Sequence, residues 1–318
     1  MPSFPKPTFP YTVNVTKEKN NLRKYRDTAP GRAIPAKSKN RLLLATWNIA
    51  NLGEQERKPQ HYKLIAEIIS WFDVVAIQEC KDDLSGLRGV MKELPEYYQT
   101  IFSDKGGNKE RMAFLYDSRK VKVMEKVGEI DFPPSDQKNI KIKGINASFT
   151  GYDRNPFLVS FKAGKMIFIL VNVHLYYGDK SAKSIGRRSL EAYGVARWAG
   201  LRRDSVYAYT DKIFALGDFN LPKTEPGDPV YKALVAKGME LPDHSGIIYS
   251  NITDDAQYDQ VAFFPDMKNL LTGNKGVFDY DGGIFPDLFQ QHTKGEFKGY
   301  LKYYISDHRP MWLELTLS

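Results

Sequence analysis

Cysteine is nearly missing from this sequence: its 318 residues include one, Cys80. No internal disulfide can form, so the small secreted scaffolds stapled by such bonds are excluded. Long apolar runs are missing too. The longest, residues 166–171, falls far short of the roughly 20 residues that span a bilayer as a helix. The opening MPSFPKPTFP lacks the charged start and apolar stretch of a secretion signal. A soluble cytoplasmic protein with no membrane span is the expectation. Internal repeats and low-complexity tracts are absent, so the chain reads as an ordinary globular body. Its 42% hydrophobic and 26% charged residues agree with that.

What the chain has in excess is positive charge, a formal +8 at neutral pH. Residues 1–41 hold ten basic and two acidic groups, which accounts for the whole surplus and leaves the rest neutral. Such a basic, proline-containing arm suits a polyanion such as nucleic acid or an anionic surface. An arm that merely lies solvated over the body is the other reading, and both stay open at this point.

After the arm, residues 41–48 (RLLLATWN) read as a buried strand. Leu64, Ile65, Ile68, Ile69 and Phe72 then recur with helical spacing behind Pro59. Residues 73–80 are again a strand. Further strands are expected at 111–116, 121–127, 157–161, 166–174, 212–219, 257–264 and 310–317, with a second long, arginine-rich helix over 184–207. Long loops are expected at 131–155 and 266–305, although eight aromatics in the latter are too many for a flexible linker. Many strands and few, widely spaced helices suggest two packed sheets with helices outside, a single α+β domain over residues 42–318.

Several strands end in residues a core would not choose. Thr46-Trp47-Asn48, Gln78-Glu79, Asn172-Val173-His174, Gly217-Asp218-Phe219-Asn220, Tyr258-Asp259-Gln260 and Ser306-Asp307-His308 each attach a carboxylate, amide or imidazole to an apolar run. If those ends converge, the resulting density of acids repels itself unless a cation is present. Oxygen ligands select a hard ion, Mg²⁺ or Mn²⁺.

This ordered series resembles the endonuclease/exonuclease/phosphatase (deoxyribonuclease I-like) superfamily, over almost all of residues 42–318. The resemblance implies a four-layered α/β sandwich, two packed sheets flanked by helices. It implies Glu79 as metal ligand, with Asn48 beside it and Asp307 as a further or water-mediated ligand. Asp218 is implied to deprotonate or orient attacking water and Asn220 to position water or phosphate. His308 would contact the scissile phosphate, with Asp259 fixing its tautomer and raising its pKa. His174 would contact phosphate or assist the leaving group, and which imidazole gives the proton is left open. Arg154 is a candidate phosphate ligand, with a surface role as its competitor, and Tyr152 is a weaker one. His61, His244, His292 and Cys80 match no motif and read as structural or surface residues.

The segment Gln78-Glu79-Cys80-Lys81 looks like the QETK of abasic-site endonucleases, and Tyr258-Asp259-Gln260-Val261 like the YDRIV of pancreatic-type deoxyribonuclease. The arginine extension and WCDR-like element of inositol phosphatases are missing. The leading expectation is therefore a metal-dependent phosphodiesterase acting on nucleic acid, most readily a DNA endonuclease leaving 5′-phosphate and 3′-hydroxyl ends. The basic arm and the arginine-rich helix would contact phosphates. The alternatives are a phosphoesterase for a lipid headgroup or small phosphorylated molecule, and an inactive nucleic-acid-binding module. Binding alone would not need the full set of acids and imidazoles.

Overall fold

The computed structural model describes residues 4–29, 31–243 and 248–317. Among them, eleven strands form two mixed sheets. The first is built from β1 (Arg41–Leu52), β2 (Val74–Lys81), β3 (Tyr98–Phe102), β4 (Glu110–Asp117), β10 (Leu271–Val277) and β11 (Met311–Thr316), in the order β10-β11-β1-β2-β4-β3. The second follows chain order through β5 (Val121–Glu129), β6 (Phe157–Ala163), β7 (Met166–His174), β8 (Ile213–Asp218) and β9 (Asp259–Ala262). Helices α1 (Val15–Arg26), α2 (Pro59–Ile69), α3 (Ser85–Glu93), α7 (Pro286–Gln291) and α8 (Lys294–Tyr304) belong with the first sheet. The long α5 (Ala182–Arg203) and the short α6 (Pro229–Val235) belong with the second, and a single turn, α4 (Pro134–Gln137), lies in the loop before β6.

The pleat explains why β1 reads as one apolar run. Alternate residues of a strand face opposite sides, and here both sides are covered. Leu42 and Leu44 pack toward the second sheet, whereas Leu43, Ala45 and Trp47 pack toward the helices on the outer face. Leu190, Val195 and Ala199 of α5 join the cluster that fills the space between the sheets and beyond the second one. The layers are therefore helices, sheet, sheet, helices, the sandwich the resemblance implies.

Two expectations are corrected. Residues 266–305 are not a long loop: they form β10, α7 and α8, and Tyr280, Phe285, Phe297 and Tyr300 are core residues. α8 starts with a capping box, in which the Thr293 side chain accepts from the Glu296 N–H while Glu296 reaches back to the Thr293 N–H. The segment before residue 41 is likewise not a free arm. Its helix α1 buries Leu22 completely, and Ile34 is almost as deep. Its cations meet acids of the body: Arg23 donates to both oxygens of Glu67 at 2.7 and 3.0 Å, Arg32 grips Asp279 with two nitrogens, and Lys17 lies 2.5 Å from Asp287.

A core contact of this kind has a measurable cost. Leu22→Ala should destabilise the protein by about 2–5 kcal/mol, read as a lower urea midpoint at unchanged slope. An unchanged midpoint would show that α1 lies on the body without supporting it.

Candidate active site

The catalytic candidates sit where the parallel pairs β1–β2 and β7–β8 end and the antiparallel neighbours begin. Strand register places them in rows: His174 pairs with Asp218 across β7 and β8, and Asp218 pairs with Asp259 across β8 and β9. In the other sheet Lys81, two residues beyond Glu79, pairs with Glu110. Within each sheet, strand pairing thus lines the polar ends up in rows.

Local backbone choices aim the side chains. Glu79 has a left-handed backbone, φ 62°, at an irregularity in the β2–β4 ladder between Ile77 and Cys80. A non-glycine residue there costs about 1–2 kcal/mol, and the turn directs a carboxylate of 1% exposure toward the centre. Gly217 has no substitute. At φ 142° an added Cβ would lie 2.1 Å from the Val173 carbonyl oxygen, so only glycine lets β8 approach β7 this closely just before Asp218.

Asp259 and His308 form one unit. His308 Nδ1 donates to Asp259 Oδ2 at 2.7 Å, and the Ser250 hydroxyl accepts from the Asp259 N–H at 3.0 Å. Burial opposes a charged imidazole, but the carboxylates of Asp259 and Asp218 overcome that cost and hold His308 well above its ordinary 6.5. Burial pushes Asp259 up to about 6 against the pull of His308. At neutral pH the pair is an imidazolium bound to a carboxylate. The outer nitrogen of His308, Nε2, stands 3.8 Å from Asp218 Oδ2.

A second imidazole approaches the same oxygen of Asp218. His174 Nε2 is 3.7 Å from Asp218 Oδ2 and 4.0 Å from Glu79 Oε1, while its Nδ1 lies 3.2 Å from Glu110 Oε2. Burial would raise Glu110, but His174, Arg154 and Lys81 bring it down to about 2. Burial likewise works against the charge on Asp218. The two imidazoles, the Asn220 N–H and the Asn48 amide outweigh it, and the carboxyl is held below its ordinary value. Asp218 therefore stays ionised and able to accept a proton.

Asn48 joins the halves. Its Nδ2 donates to Glu79 Oε1 and to Asp218 Oδ2, both at 3.0 Å, and the Asn51 N–H donates to the other Glu79 oxygen at 2.7 Å. Asn48 Oδ1 is buried with no hydrogen-bond partner among the described residues. An orphaned amide oxygen beside ionised carboxylates fits a hard cation. Asp307 is half-buried nearby; burial raises its carboxyl, His308 opposes this, and the Glu79 charge adds to it. Ligand atoms of Asp218, Asp259 and His308 also lie within 4.8 Å of one another. His308 Nδ1 and Asp259 Oδ2 are already committed to each other, which leaves that trio fewer free donors than the Asn48 side.

Arg154 is placed behind this centre. It is buried, donates from Nε to the His174 carbonyl at 3.0 Å and from Nη2 to the Leu175 carbonyl at 3.3 Å, and sits 3.5 Å from Glu110. Burial excludes its surface reading. Tyr152 lies apart, packed against Phe132 and Phe149. Asn220 donates from Nδ2 to the Leu175 carbonyl at 2.7 Å. His61 stacks on Tyr304 and His292 on Phe9, and Cys80 is buried; His244 lies outside the described residues.

Two contributors escape the sequence reading, and a third, Tyr258, enters it only as a letter of its motif. Glu110 begins an unremarkable strand, and only the lattice of β2 and β4 shows that it faces His174. Arg188 spends its guanidinium on the carbonyls of Tyr176, Tyr177, Asp179 and Asn220, so it shapes the rim from beneath. Tyr258 places its ring 5.8 Å from that of His308.

No protein-family model matches the chain, and no curated protein does. Solved structures do share its fold. An endonuclease/exonuclease/phosphatase family protein from Bacteroides thetaiotaomicron is 19% identical, with a TM-score of 0.54 over 87% of this chain and 95% of that one. The mannosyl-6-phosphatase Bt3783 of Bacteroides thetaiotaomicron VPI-5482 has the same identity and score, over 87% and 100%. The endonuclease domain of TRAS1, a telomere-specific non-LTR retrotransposon, is 14% identical, with a TM-score of 0.51 over 87% and 99%. At such identities the likeness establishes the fold that these structures have in common.

The Asp259–His308 pair can be tested without any substrate. In protein freed of metal by EDTA, Asp259→Asn should move the His308 titration to lower pH, because the neutral amide no longer favours the imidazolium. NMR of the ring carbons reads the midpoint. A midpoint that stays put would mean that Asp259 does not set the charge of His308.

Proposed function

We propose that this chain is a divalent-metal-dependent phosphodiesterase acting on nucleic acid, most readily a DNA endonuclease that leaves 5′-phosphate and 3′-hydroxyl ends. The observation that carries this reading is one ionised carboxylate, Asp218, held between two imidazoles that are each backed by a carboxylate of their own, at 3.7 and 3.8 Å. Phosphodiester hydrolysis asks for that set: a group to take the proton of attacking water, positive charge for the non-bridging oxygens, and a proton for the leaving oxygen.

In this reading Asp218 accepts the proton of water as its oxygen bonds to phosphorus. Asn220 fixes Asp218 through its own N–H, which donates to Oδ1 at 2.8 Å. The His308 imidazolium, kept charged by Asp259, lies against the phosphoryl oxygens. The bond to the leaving oxygen breaks as that oxygen takes a proton from an imidazole ring, and His174, backed by Glu110, is the second ring within reach of Asp218 Oδ2. Glu79 and Asn48 would hold the divalent ion with Asp307, and a cation there would offset charge on the phosphate and the leaving oxygen. Arg154 acts by holding the backbone that carries His174.

Both phosphatase and endonuclease activity occur among proteins with this fold, so the assay must include both. Nicking of supercoiled plasmid should require Mg²⁺ or Mn²⁺ and stop in EDTA, while sugar phosphates and other phosphomonoesters should be poor substrates. Efficient hydrolysis of a monoester with no nicking would refute the reading. Glu79→Gln should lower nicking about 10²- to 10³-fold with the fold intact, as expected for loss of one electrostatic contact.

The two imidazoles can be told apart by the leaving group. The variant that lacks the proton donor should recover on a p-nitrophenyl phosphodiester, whose leaving group needs no proton, and remain about 10²- to 10⁴-fold slow on DNA. Equal defects on both substrates in both variants would remove general acid catalysis from the assignment.

A further inference from the structure

Beside the catalytic centre lies a cavity of about 520 Å³ between the loop at residues 147–151 and the first turns of α5. Tyr176, Lys183, Ser184 and Arg187 line it, together with one acid, Asp179. Tyr176 follows His174 by two residues, so its Cα lies within about 7 Å of the His174 Cα even in a fully extended chain. Nothing in the hydrolytic site uses this cavity.

Its walls have a definite chemistry. The Arg187 guanidinium carbon lies 4.0 Å from the centre of the Tyr176 ring, which lays a cation over an aromatic face. Arg187 remains 41% exposed, and its carboxylate neighbours, Asp153 and Glu191, are 3.4 Å away. A planar guanidinium fixed on a phenol is a platform on which a nucleobase can stack. Lys183 forms no ion pair among the described residues, unlike Arg187. Asp179 is occupied by Ser181 and Ser184, whose hydrogen bonds lower it to about 2.

The frame that holds the cavity is rigid. Glu191 is buried and accepts the Asp153 N–H at 3.1 Å and the Tyr176 N–H at 2.8 Å, so one carboxylate ties down both sides of the opening. Arg188, next to Arg187 in α5, holds the Tyr176 carbonyl at 3.0 Å. A site prearranged in this way loses little entropy when it is filled.

We infer that this cavity is a nucleotide subsite, taking the base and phosphate one step along a single strand from the bond being cut, with the base on the Arg187–Tyr176 platform and the phosphate at Lys183. The inference rests on the phosphodiesterase reading and sharpens its substrate class to a polynucleotide with an accessible base. A sugar phosphate or lipid headgroup would gain nothing from the platform.

Binding in EDTA tests the subsite without cleavage. The probes are a fluorescein-labelled single-stranded DNA oligonucleotide and a strand of equal length whose sugars carry no bases, both followed by anisotropy. Lys183→Gln should flatten the slope of log affinity against log salt by about 0.7 on the base-bearing strand, the value for one phosphate contact on single strands. Arg187→Lys keeps the charge and loses the plane, so it should weaken the base-bearing strand about fivefold or more and leave the baseless strand unchanged. An unchanged salt slope in Lys183→Gln, or equal loss on both strands in Arg187→Lys, overturns the proposal. If both signatures appear while the plasmid is not nicked, the subsite stands and the hydrolytic reading falls.

Discussion

Everything at the centre depends on keeping the ends of two separate sheets in fixed relation, and two buried amides do this. Gln78 Nε2 donates to Asn172 Oδ1 at 2.7 Å and to the Thr46 hydroxyl at 3.0 Å. Asn172 Nδ2 in turn donates across the interface to the carbonyls of Ile77 and Ala113, at 3.1 and 2.9 Å. Apolar packing is non-directional and would tolerate a slide between the sheets. Amide hydrogen bonds in a dry interior would not, since a slipped register leaves donors unpaired at about 1–3 kcal/mol each. Glu79 follows Gln78 directly and His174 lies two residues beyond Asn172, so the clamp sets the separation of the two halves. A second knot acts at the other edge. The Ser306 hydroxyl donates to the Asn48 carbonyl at 2.7 Å, and Trp47 Nε1 donates to the His308 carbonyl at 2.8 Å.

Charge is the second constraint. Glu79, Glu110, Asp218 and Asp259 are all buried, with Asp307 half-buried beside them, and they face the two imidazoles, Arg154 and Lys81. Burying ionised groups is costly unless each is paired. Glu110 and Asp259 are matched by His174 and His308. Among the described residues Glu79 accepts hydrogen bonds from an amide and a backbone N–H, with the His174 ring no nearer than 4.0 Å, and the upward pressure on Asp307 includes the charge of Glu79. The uncompensated charge thus gathers on the Asn48 side, next to the orphaned amide oxygen. That asymmetry, more than the number of acids, separates a half of the site where carboxylates lie beside an unpaired amide oxygen from a half where they are paired with imidazoles.

The fold was legible wherever the two-sided burial of a strand wrote a continuous apolar run, as in β1, β2, β7 and β8. The candidate residues were legible because polar groups at the ends of such runs have no place in a core. What stayed hidden needed three-dimensional pairing. Glu110 starts β4 with no signal that separates it from a surface glutamate, and its role comes from lying opposite Lys81 in a neighbouring strand. Gln78 and Asn172 were visible as letters of motifs, yet their work is to join the sheets. α1 was hidden by its own composition, a lysine- and arginine-rich helix whose apolar stripe is reduced to Val15, Leu22 and Tyr25. The aromatics of 278–304 spoke against a linker, but their spacing did not reveal two short helices.

The location of the positive charge follows from the same pairing. By count, residues 1–41 carry the entire surplus of the chain, which invites the picture of a basic tentacle searching for a polyanion. In the folded protein Lys6 meets Glu56, Lys17 meets Asp287, Lys19 and Arg23 share Glu67, Arg32 grips Asp279 and Lys37 faces Asp117. The two exposed pairs, Lys6–Glu56 and Lys17–Asp287, add little to stability, and the effect all six share is to cancel field. The acids they neutralise belong to the body, whose own lysines and arginines are thereby left in excess. Among these, Arg188, Arg57 and Arg309 are buried on carbonyls and carboxylates. Lys183, at the start of α5, is bound to no carboxylate. A helix N-terminus adds its own partial positive charge there, and α5 presents that end at the cavity lined by Tyr176 and Arg187, so positive charge that the body's acids leave unmatched gathers at this end of the helix.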